Sequence, residues 1–211
     1  MEYKKAAYEN LAESLIEKFN LRGIESYYVD NRAEALDMVK RLLTPGSSVA
    51  WGGSQTLSQI GLLDYLKESD FQLYDRHAAS TPEEKKELTA KAFTADFYLM
   101  SSNAITLNGE LVNIDGNGNR VACLIYGPEN VIIVAGMNKV CADVDSAIKR
   151  IQNVASPANT VRLGAKTPCA ELGRCGDCLC PDTICCQTVI TRKSRVPNRI
   201  KVILVGEELG Y

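Results

Sequence analysis

Residues 46–62 read GSSVAWGGSQTLSQIGL, and this stretch decides the fold class. It begins at a turn, and the apolar run that follows predicts a buried strand over residues 48–51. The strand passes through Gly52 and Gly53 into Ser54, which is a favoured helix-capping residue, and then into a helical pattern. A strand that runs through glycines directly into a helix is typical of α/β architectures.

The same glycine turn is the first candidate for a ligand site. Backbone N–H groups and a helix N-terminus converge there, which suits a carboxylate or a phosphate. The turn lacks the lysine of a P-loop and the G-x-G-x-x-G pattern of a dinucleotide fold. A capped turn alone also explains the sequence, but two glycines exceed what that turn needs. We therefore predict a small-anion site with four contacts: Gly52, Gly53, Ser54 and Thr56.

Helices and strands alternate on both sides of this stretch. The further helices are predicted over residues 8–19, 31–43, from 81 onward, and 141–154. The further strands are predicted over residues 24–29, 71–74, 97–100, 104–107, 110–114, 121–126, 131–135 and 199–205. Asn108-Gly109 between two of them predicts a hairpin with a two-residue type I′ turn. This order predicts a mainly parallel sheet with helices on both faces and an inserted hairpin, and we expect residues 1–211 to form one domain.

Composition excludes several classes of function. The chain has 211 residues, a net charge of −2 and 45% apolar residues, which gives no electrostatic basis for binding nucleic acid or a membrane surface. No stretch approaches the roughly 20 apolar residues of a spanning helix, and the N-terminus lacks the apolar region of a secretory signal. We therefore expect a cytoplasmic protein whose cysteines are reduced rather than paired in disulfides.

Six of the eight cysteines lie in CAELGRCGDCLCPDTICC, residues 169–186. Cys175 and Cys178 form a C-x2-C pair, a spacing that brings two thiolates to one metal across a tight turn. Adding Cys169 and Cys185 gives C-x5-C-x2-C-x6-C. Because the only histidine is His77, the predicted ligand set is four sulfurs.

Four thiolates suit zinc and an iron–sulfur cluster equally by softness, so spacing has to separate the two. Structural zinc favours two close pairs, and the second pair here would need Cys185 with Cys180 or the adjacent Cys186. A 4Fe–4S cluster accepts uneven spacing more readily, and Cys180-Pro181 resembles the Cys-Pro that ends some cluster-binding runs. We predict an iron–sulfur cluster, with zinc as the alternative; a redox dithiol or a metal-free loop also stays open.

Other residues yield weaker predictions. Cys123 is expected in a strand and Cys141 in a helix, each as a buried structural thiol. Turn chemistry does not explain Asn103 or Arg120, so we predict that both contact a small polar ligand. A loop histidine such as His77 is more often without a catalytic role, and catalytic residues stay unassigned.

Four segments resemble the LUD domain family, formerly a domain of unknown function and named for bacterial lactate utilisation. They are VAWGGSQTLSQIGL (49–62), SSNAITLNGELVNIDGNGNRVA (101–122), YGPENVIIVAGMNKV (126–140) and TPCAELGRCGDCLCPDTIC (167–185). The resemblance implies a three-layer α/β/α sandwich like that of the sugar-phosphate isomerase and CoA-transferase superfamily. It places the glycine turn at the ligand site and implies that the cysteine-bearing subgroup keeps Cys169, Cys175, Cys178 and Cys185.

The resemblance also implies a function. Lactate oxidation in that system is attributed to an assembly whose other subunits carry ferredoxin-like cysteine runs, which this chain lacks. The first hypothesis is therefore an iron–sulfur component of a redox system for lactate or another small hydroxy acid, with other redox subunits as partners. The alternatives are a non-redox isomerase- or transferase-like enzyme with a structural metal loop, whose base would be Asp115 or Glu110, and a non-catalytic ligand- or redox-sensing regulator. A homo-oligomer is left open.

Overall fold

Helices and strands alternate through most of the chain, and the computed structural model describes residues 2–211. The helices are α1 Glu2–Leu21, α2 Arg32–Leu42, α3 Gln55–Gln59, α4 Leu62–Lys67, α5 Pro82–Ala92, α6 Asn119–Ile125, α7 Val144–Arg150, α8 Ser156–Leu163 and α9 Pro168–Leu172. The strands are β1 Glu25–Val29, β2 Ser48–Trp51, β3 Gln72–Tyr74, β4 Phe97–Met100, β5 Ala104–Thr106, β6 Leu111–Asp115, β7 Asn130–Gly136, β8 Val140–Cys141, β9 Gln187–Thr191 and β10 Ile200–Val205.

The central sheet has six strands in the order β1-β10-β7-β4-β2-β3, and every neighbouring pair is parallel. Its strands are apolar on both faces because helices cover both faces. In β7, Ile132 and Val134 pack with α2, α3 and α4, whereas Val131 and Ile133 pack with α1, α6 and the chain after α5. The α/β class and the mainly parallel sheet with flanking helices are therefore confirmed.

The predicted hairpin is present, and its two strands belong to a second, smaller sheet. Strands β5 and β6 pair antiparallel, and a four-stranded sheet forms in the order β8-β5-β6-β9. The connection spans residues 107–110, with Gly109 at a φ of +82°. Asn108 does not share a positive φ, so the turn is not the predicted type I′. Strand β9 was not predicted, because its alternating residues follow directly on the cysteine loop.

Two assignments between residues 119 and 154 were wrong. Residues 121–126 were predicted as a strand but lie mostly in α6, where Cys123 is buried. The Asp115 carboxylate accepts hydrogen bonds from the backbone N–H groups of Arg120 and Val121, which starts the helix. A short apolar run does not distinguish a buried helical turn from a strand. Cys141 is in β8 rather than in a helix, because α7 begins only after its cap Asp143.

A third apolar cluster joins the small sheet to the helices that cover it. Ala104 and Val112 of the small sheet pack against Ala147 and Ile151. The helix continues from α7 through a π turn at Ile151–Ala155 into α8. Predicted helix starts elsewhere are confirmed: the Asn31 side chain caps α2, and Thr81 caps α5 with Pro82 in the first position. Within residues 2–211, no helix is long and apolar enough to cross a membrane.

Candidate functional site

A cavity of about 310 Å³ opens at the carboxyl ends of the central strands. The chain leaves β2 through α3 and α4 on one face of the sheet, and leaves β4 through the small sheet on the other. Ligands of open α/β sheets bind at this type of switch point. The lining includes Gly53–Thr56 after β2, Ser101–Asn103 after β4 and Lys139 after β7. Neighbouring parallel strands thus bring residues far apart in sequence to one cavity.

Arg120 is the central structural side chain of the cavity wall. Its Nε donates to Asp115 Oδ1 at 2.9 Å, and both side chains are nearly buried. Its Nη1 donates to Ser101 O and Asn113 Oδ1, and its Nη2 to Asn103 Oδ1 and Ile114 O. A guanidinium has five N–H donors, so these bonds engage all of them. Arg120 therefore fixes the shape of the wall, and its predicted contact with a ligand would need one of these bonds to be exchanged.

The glycine turn has a packing explanation that the sequence did not show. A Cβ on Gly52 would lie 3.1 Å from Tyr98 Oη and 3.2 Å from Arg120 Cδ. Gly52 is thus needed for the close approach of Arg120, and its own amide N–H is bonded to Leu99 O at 3.1 Å. Ser54 caps α3 by accepting from Leu57 N at 3.3 Å. Gly53 and Ser54 line the cavity, whereas Gly52 lies behind it.

Lys139 is a buried amine in the cavity wall, at 4% exposure. Its Nζ lies 3.0 Å from Thr56 Oγ1 and 2.9 Å from Ser101 Oγ, and both are hydroxyls. Burial, together with the positive charges of Arg150 and Arg120, lowers the pKa of Lys139 from 10.5 to about 7. The amine is therefore available as a base or nucleophile near neutral pH.

The mouth of the cavity is cationic. Arg76 follows β3, and its buried Nε has no hydrogen-bond partner among the described residues. His77 Nε2 and Arg162 Nη2 both approach Gly53, at 3.7 Å and 4.0 Å from the position its Cβ would take. Burial lowers the pKa of His77, and the charge of Arg76 lowers it further. Since Asp115 is the only carboxylate side chain in the lining and is paired with Arg120, the cavity favours an anion.

The remaining predicted residues divide between cavity and surface. Asn103 lines the cavity, and its Oδ1 accepts from Arg120 and from Ile114 N, which leaves its amide N–H2 group to face a ligand. Thr56 lines it with its hydroxyl on Lys139. Glu110 lies elsewhere: it pairs with Arg22 and with the Thr106 hydroxyl at the far end of the hairpin.

The cysteine loop brings its predicted ligands into one neighbourhood. Partial burial raises the pKa of Cys185, the hydrogen bond with Ser156 opposes this, and the thiols of Cys169, Cys175 and Cys178 act in the raising direction. Cys169 is buried in α9, and its Sγ lies 3.3 Å from Thr167 Oγ1. Within residues 2–211, no three Cys, His, Asp or Glu side chains are grouped closely enough to hold a metal ion.

The loop fits a sulfur-ligated centre by the chemistry of its donors. Its four predicted ligands are all free thiols, and the backbone N–H of Asp177 donates to Cys175 Sγ at 3.3 Å. Such N–H donors stabilise thiolates that bind metal. The Cys178 and Cys180 sulfurs lie 3.7 Å apart. Cys180 is therefore close enough to one predicted ligand to serve as a spare ligand. Cys186 is exposed, and its Sγ lies 3.7 Å from Thr183 O.

The loop also forms part of the cavity wall. Ile184 and Ser156 both line the cavity. The Cys185 thiol lies 3.4 Å from Ser156 Oγ, and the backbone N–H of Cys186 donates to Asp115 O at 3.0 Å. The predicted anion site and the predicted metal loop are therefore adjacent, which no sequence pattern had indicated.

Sequence reasoning assigned no role to Lys139, Arg76, Ser101 or Arg162. Lys139 follows directly on the apolar strand β7, and Arg76 closely follows β3. A polar residue just after a buried parallel strand is the signal that would have singled out the first three. Arg162 lies on α8 and offered no such signal.

Comparisons with known proteins are consistent with this architecture. The model of the LUD domain family matches residues 12–205. The crystal structure of a DUF162 family protein from Deinococcus radiodurans is similar, with a TM-score of 0.53 and 17% identity over 95% of this chain and 98% of that chain. The structure of eIF2B delta from Chaetomium thermophilum aligns over 56% of this chain and 51% of that chain, at 18% identity and a TM-score of 0.37. A search of the curated proteins gives no match.

The first structure shares the fold at an identity too low to carry a function. The family match is of a different kind, because it covers nearly the whole sequence, including the glycine turn, the hairpin, the turn at Lys139 and the cysteine loop. The chain belongs to the LUD domain family.

Proposed function

We propose that this protein is the iron–sulfur-binding component of a redox system that acts on lactate or another small hydroxy acid. One observation supports the proposal: the thiol loop contributes Ile184 to the wall of the cationic cavity, and Cys185 Sγ lies 3.4 Å from Ser156 Oγ of the lining. A redox centre far from the cavity would have favoured a purely structural role for the loop.

The cationic residues at the mouth of the cavity bind the carboxylate of the substrate. Arg76 lines the cavity, and its positive charge there favours a carboxylate. Arg162 approaches the same turn from α8. Both arginines line the same cavity as Lys139, so an anion that they bind lies in the cavity that holds this amine.

The reaction converts a 2-hydroxy acid to a 2-oxo acid. The O–H and Cα–H bonds break, the two electrons leave in two successive one-electron transfers to another redox subunit, and the Cα proton leaves to water. When bound, a 4Fe–4S cluster held by Cys169, Cys175, Cys178 and Cys185 supplies one-electron relay to an acceptor, here another redox subunit. Lys139 takes the hydroxyl proton, since its buried amine is substantially neutral near pH 7. Its two hydroxyl neighbours hold the amine in place while it is neutral and while it is charged.

The test is metal analysis of protein purified without oxygen, with iron, acid-labile sulfide and zinc measured together. We expect iron and sulfide in about equal amounts and a broad absorbance at about 400 nm, the usual sulfur-to-iron charge-transfer region. Cys185→Ser should lower iron content severalfold, and the neighbouring Cys186→Ser serves as the matched control that retains it. The loaded protein is then mixed with lactate and an artificial electron acceptor.

Either of two results contradicts the proposal. A colourless protein that holds one zinc per chain removes the redox role. A loaded protein whose iron is unaffected by Cys185→Ser removes the ligand assignment.

A second candidate, a non-redox enzyme with a structural zinc loop, is favoured by one specific observation. Lys139 lies in the cavity without a carboxylate partner, and a neutral buried amine is suited to base or nucleophilic chemistry without electron transfer. Zinc in the loop together with turnover of a small anionic substrate that requires Lys139 would support this reading over the first.

A further inference from the structure

We propose that Lys139 is a covalent binding site for a 2-oxo acid, which it holds as an imine. The choice of ligand rests on the proposed function, because a 2-oxo acid is the oxidation product of a 2-hydroxy acid. The amine itself, its burial and its surroundings do not depend on the cysteine loop being loaded.

The position of the amine is set by the fold rather than by a counterion. Lys139 follows β7 in a single 3-10 turn, and its side chain crosses to the loops after β2 and β4. There Nζ contacts Thr56 Oγ1 and Ser101 Oγ. Among the described residues, no carboxylate pairs with Lys139, whereas buried lysines ordinarily pair with one.

The charges around the amine oppose its protonation. Arg150 from α7 donates to the backbone carbonyls of Asn138 and Asn103, so its guanidinium is fixed near the turn of Lys139. Arg120 contributes a second positive charge, and its neighbour Asp115 is already paired with it. Burial and two guanidinium groups therefore act in the same direction, and they keep a nucleophilic lone pair on Nζ.

The cavity selects a small carbonyl compound with an anionic group. Its volume of about 310 Å³ accommodates a short acid, and its mouth carries the unpartnered Arg76. Gly210 covers the amine from the C-terminal side: a Cβ there would lie 3.1 Å from Lys139 Nζ and 2.5 Å from Thr56 Oγ1. A side chain at residue 210 would fill the space beside the nucleophile.

The covalent step is balanced without any redox partner. The Nζ lone pair attacks the ketone carbon and forms a C–N bond, and a proton moves from nitrogen to the former carbonyl oxygen to give a carbinolamine. Loss of that oxygen as water leaves the C=N bond of the imine, and hydrolysis reverses the step. Thr56 and Ser101 are the hydroxyls beside the nitrogen that carry these protons.

The experiment is reductive trapping on the full-length protein. The protein is incubated with pyruvate and sodium borohydride at pH 7.5, and intact mass and peptide mapping locate the adduct. An ordinary lysine with a pKa of 10.5 is neutral in about one molecule in a thousand at this pH. We therefore expect the adduct on Lys139 at least tenfold above that on any other lysine.

Two variants keep the result interpretable. Lys139→Arg should abolish the adduct while it preserves the positive charge. Lys201→Arg is the matched control, because Lys201 is also largely buried but bonds Asn130 at the opposite end of the sheet. Mapping of the wild-type adduct decides the question even if Lys139→Arg does not fold.

The inference is overturned if pyruvate binds by calorimetry but the trapped adduct is spread over surface lysines, or if no adduct forms. Either outcome leaves the iron–sulfur proposal intact, because metal content and lactate-dependent reduction are measured separately. Conversely, a Lys139 adduct on protein that contains zinc and no iron would support the imine site while removing the redox role.

Discussion

The anion cavity and the cysteine loop lie side by side, yet they are built in opposite ways. In the cavity wall, Arg120 alone engages all five of its N–H donors with side-chain and backbone oxygens of β6 and the loop after β4. In the loop, residues 173–186 form no helix or strand, and Leu179 is 98% exposed. The cavity is thus organised by the polypeptide itself.

The cavity and the loop differ in what holds each of them in one conformation. Thiols in the loop contact few partners, and two of the six, Cys185 and Cys186, are exposed. A free, exposed thiol contributes little to folding, whereas a metal bound by four of them ties the loop together. We infer that the cavity forms with or without metal and that the loop depends on what its thiols bind.

The largest expected effect comes from Arg120→Ala, which removes the side chain that organises the cavity wall. It leaves Asp115 Oδ1 without its partner in a nearly buried wall and removes one of the two hydrogen bonds to Asn113 Oδ1 and to Asn103 Oδ1, so we expect a loss of about 3–5 kcal/mol in the free energy of unfolding. The measurement is urea-induced unfolding followed by circular dichroism.

Arg162→Ala is the matched control, because Arg162 is exposed and bonds only Asn159 within its own helix. It should change stability by no more than about 0.5 kcal/mol; a similar small loss for Arg120→Ala would show that the wall is not organised by this side chain.

The next effect is the pH dependence of stability due to Lys139. Its pKa is lowered to about 7 in the folded protein from 10.5, so the unfolded chain binds more protons between these values. The free energy of unfolding should therefore rise with pH in this window, by up to about 1.4 kcal/mol per pH unit from this group. Burial is the largest cause of this shift, followed by the neighbouring positive charges of Arg150 and Arg120.

The check is urea unfolding of wild type and Lys139→Met at pH 7.5, 8.5 and 9.5. Methionine carries no titrating group, so the difference in stability between the two proteins should move in favour of wild type as the pH rises. A constant difference would mean that Lys139 has an ordinary pKa, and both its roles as base and nucleophile would lose their support.

A smaller effect is expected for anion binding at the cavity mouth. Arg76→Ala removes a positive charge from the cavity lining, so it should weaken binding of pyruvate or inorganic phosphate by about tenfold. Isothermal titration calorimetry provides the affinities. Arg41→Ala, on the exposed part of α2 away from the cavity, is the control and should bind as wild type does. Equal affinities for the two variants would place the anion elsewhere.

The smallest effect on folding is expected in the loop. In metal-free protein, Cys178→Ser should change the free energy of unfolding by no more than about 0.5 kcal/mol, because the half-buried thiol has only weak contacts with Cys180 and Thr183. Trypsin cleavage after the exposed Arg174 provides the complementary readout. Metal-loaded protein should be cleaved about tenfold more slowly than metal-free protein. Equal rates would show that metal does not order the loop.

The sequence predicted the sheet well and the cavity only in part, for physical reasons. Apolar strands such as β7 and β10 carry a strong local signal because both faces are buried, and caps such as Asn31 act within one turn. The prediction of a strand where α6 lies was wrong, because a segment of seven residues is too short for its periodicity to distinguish a helix from a strand.

Contacts across the fold could not be predicted from one sequence. The contact of Arg120 with a ligand stays a prediction, but its hydrogen bonds with Asp115, Asn113 and Asn103 gave no signal in the sequence. The anion site at the glycine turn also stays a prediction, and the room that Gly52 makes for Arg120 is visible only in the fold. The adjacency of Cys185 and the cavity depends on α8, which carries Ser156 between them and was not predicted.

The central claim is that the cavity and the thiol loop act as one site, and one measurement tests it most directly. The electron paramagnetic resonance spectrum of the reduced, iron-loaded protein is recorded with and without pyruvate, an anion that the cavity should bind. Since Cys185 and the cavity share Ser156, we predict a shifted signal in wild type and no shift in Arg76→Ala at the same pyruvate concentration, about that which half-saturates wild type. An unchanged wild-type spectrum, with pyruvate binding confirmed by calorimetry, would contradict the account.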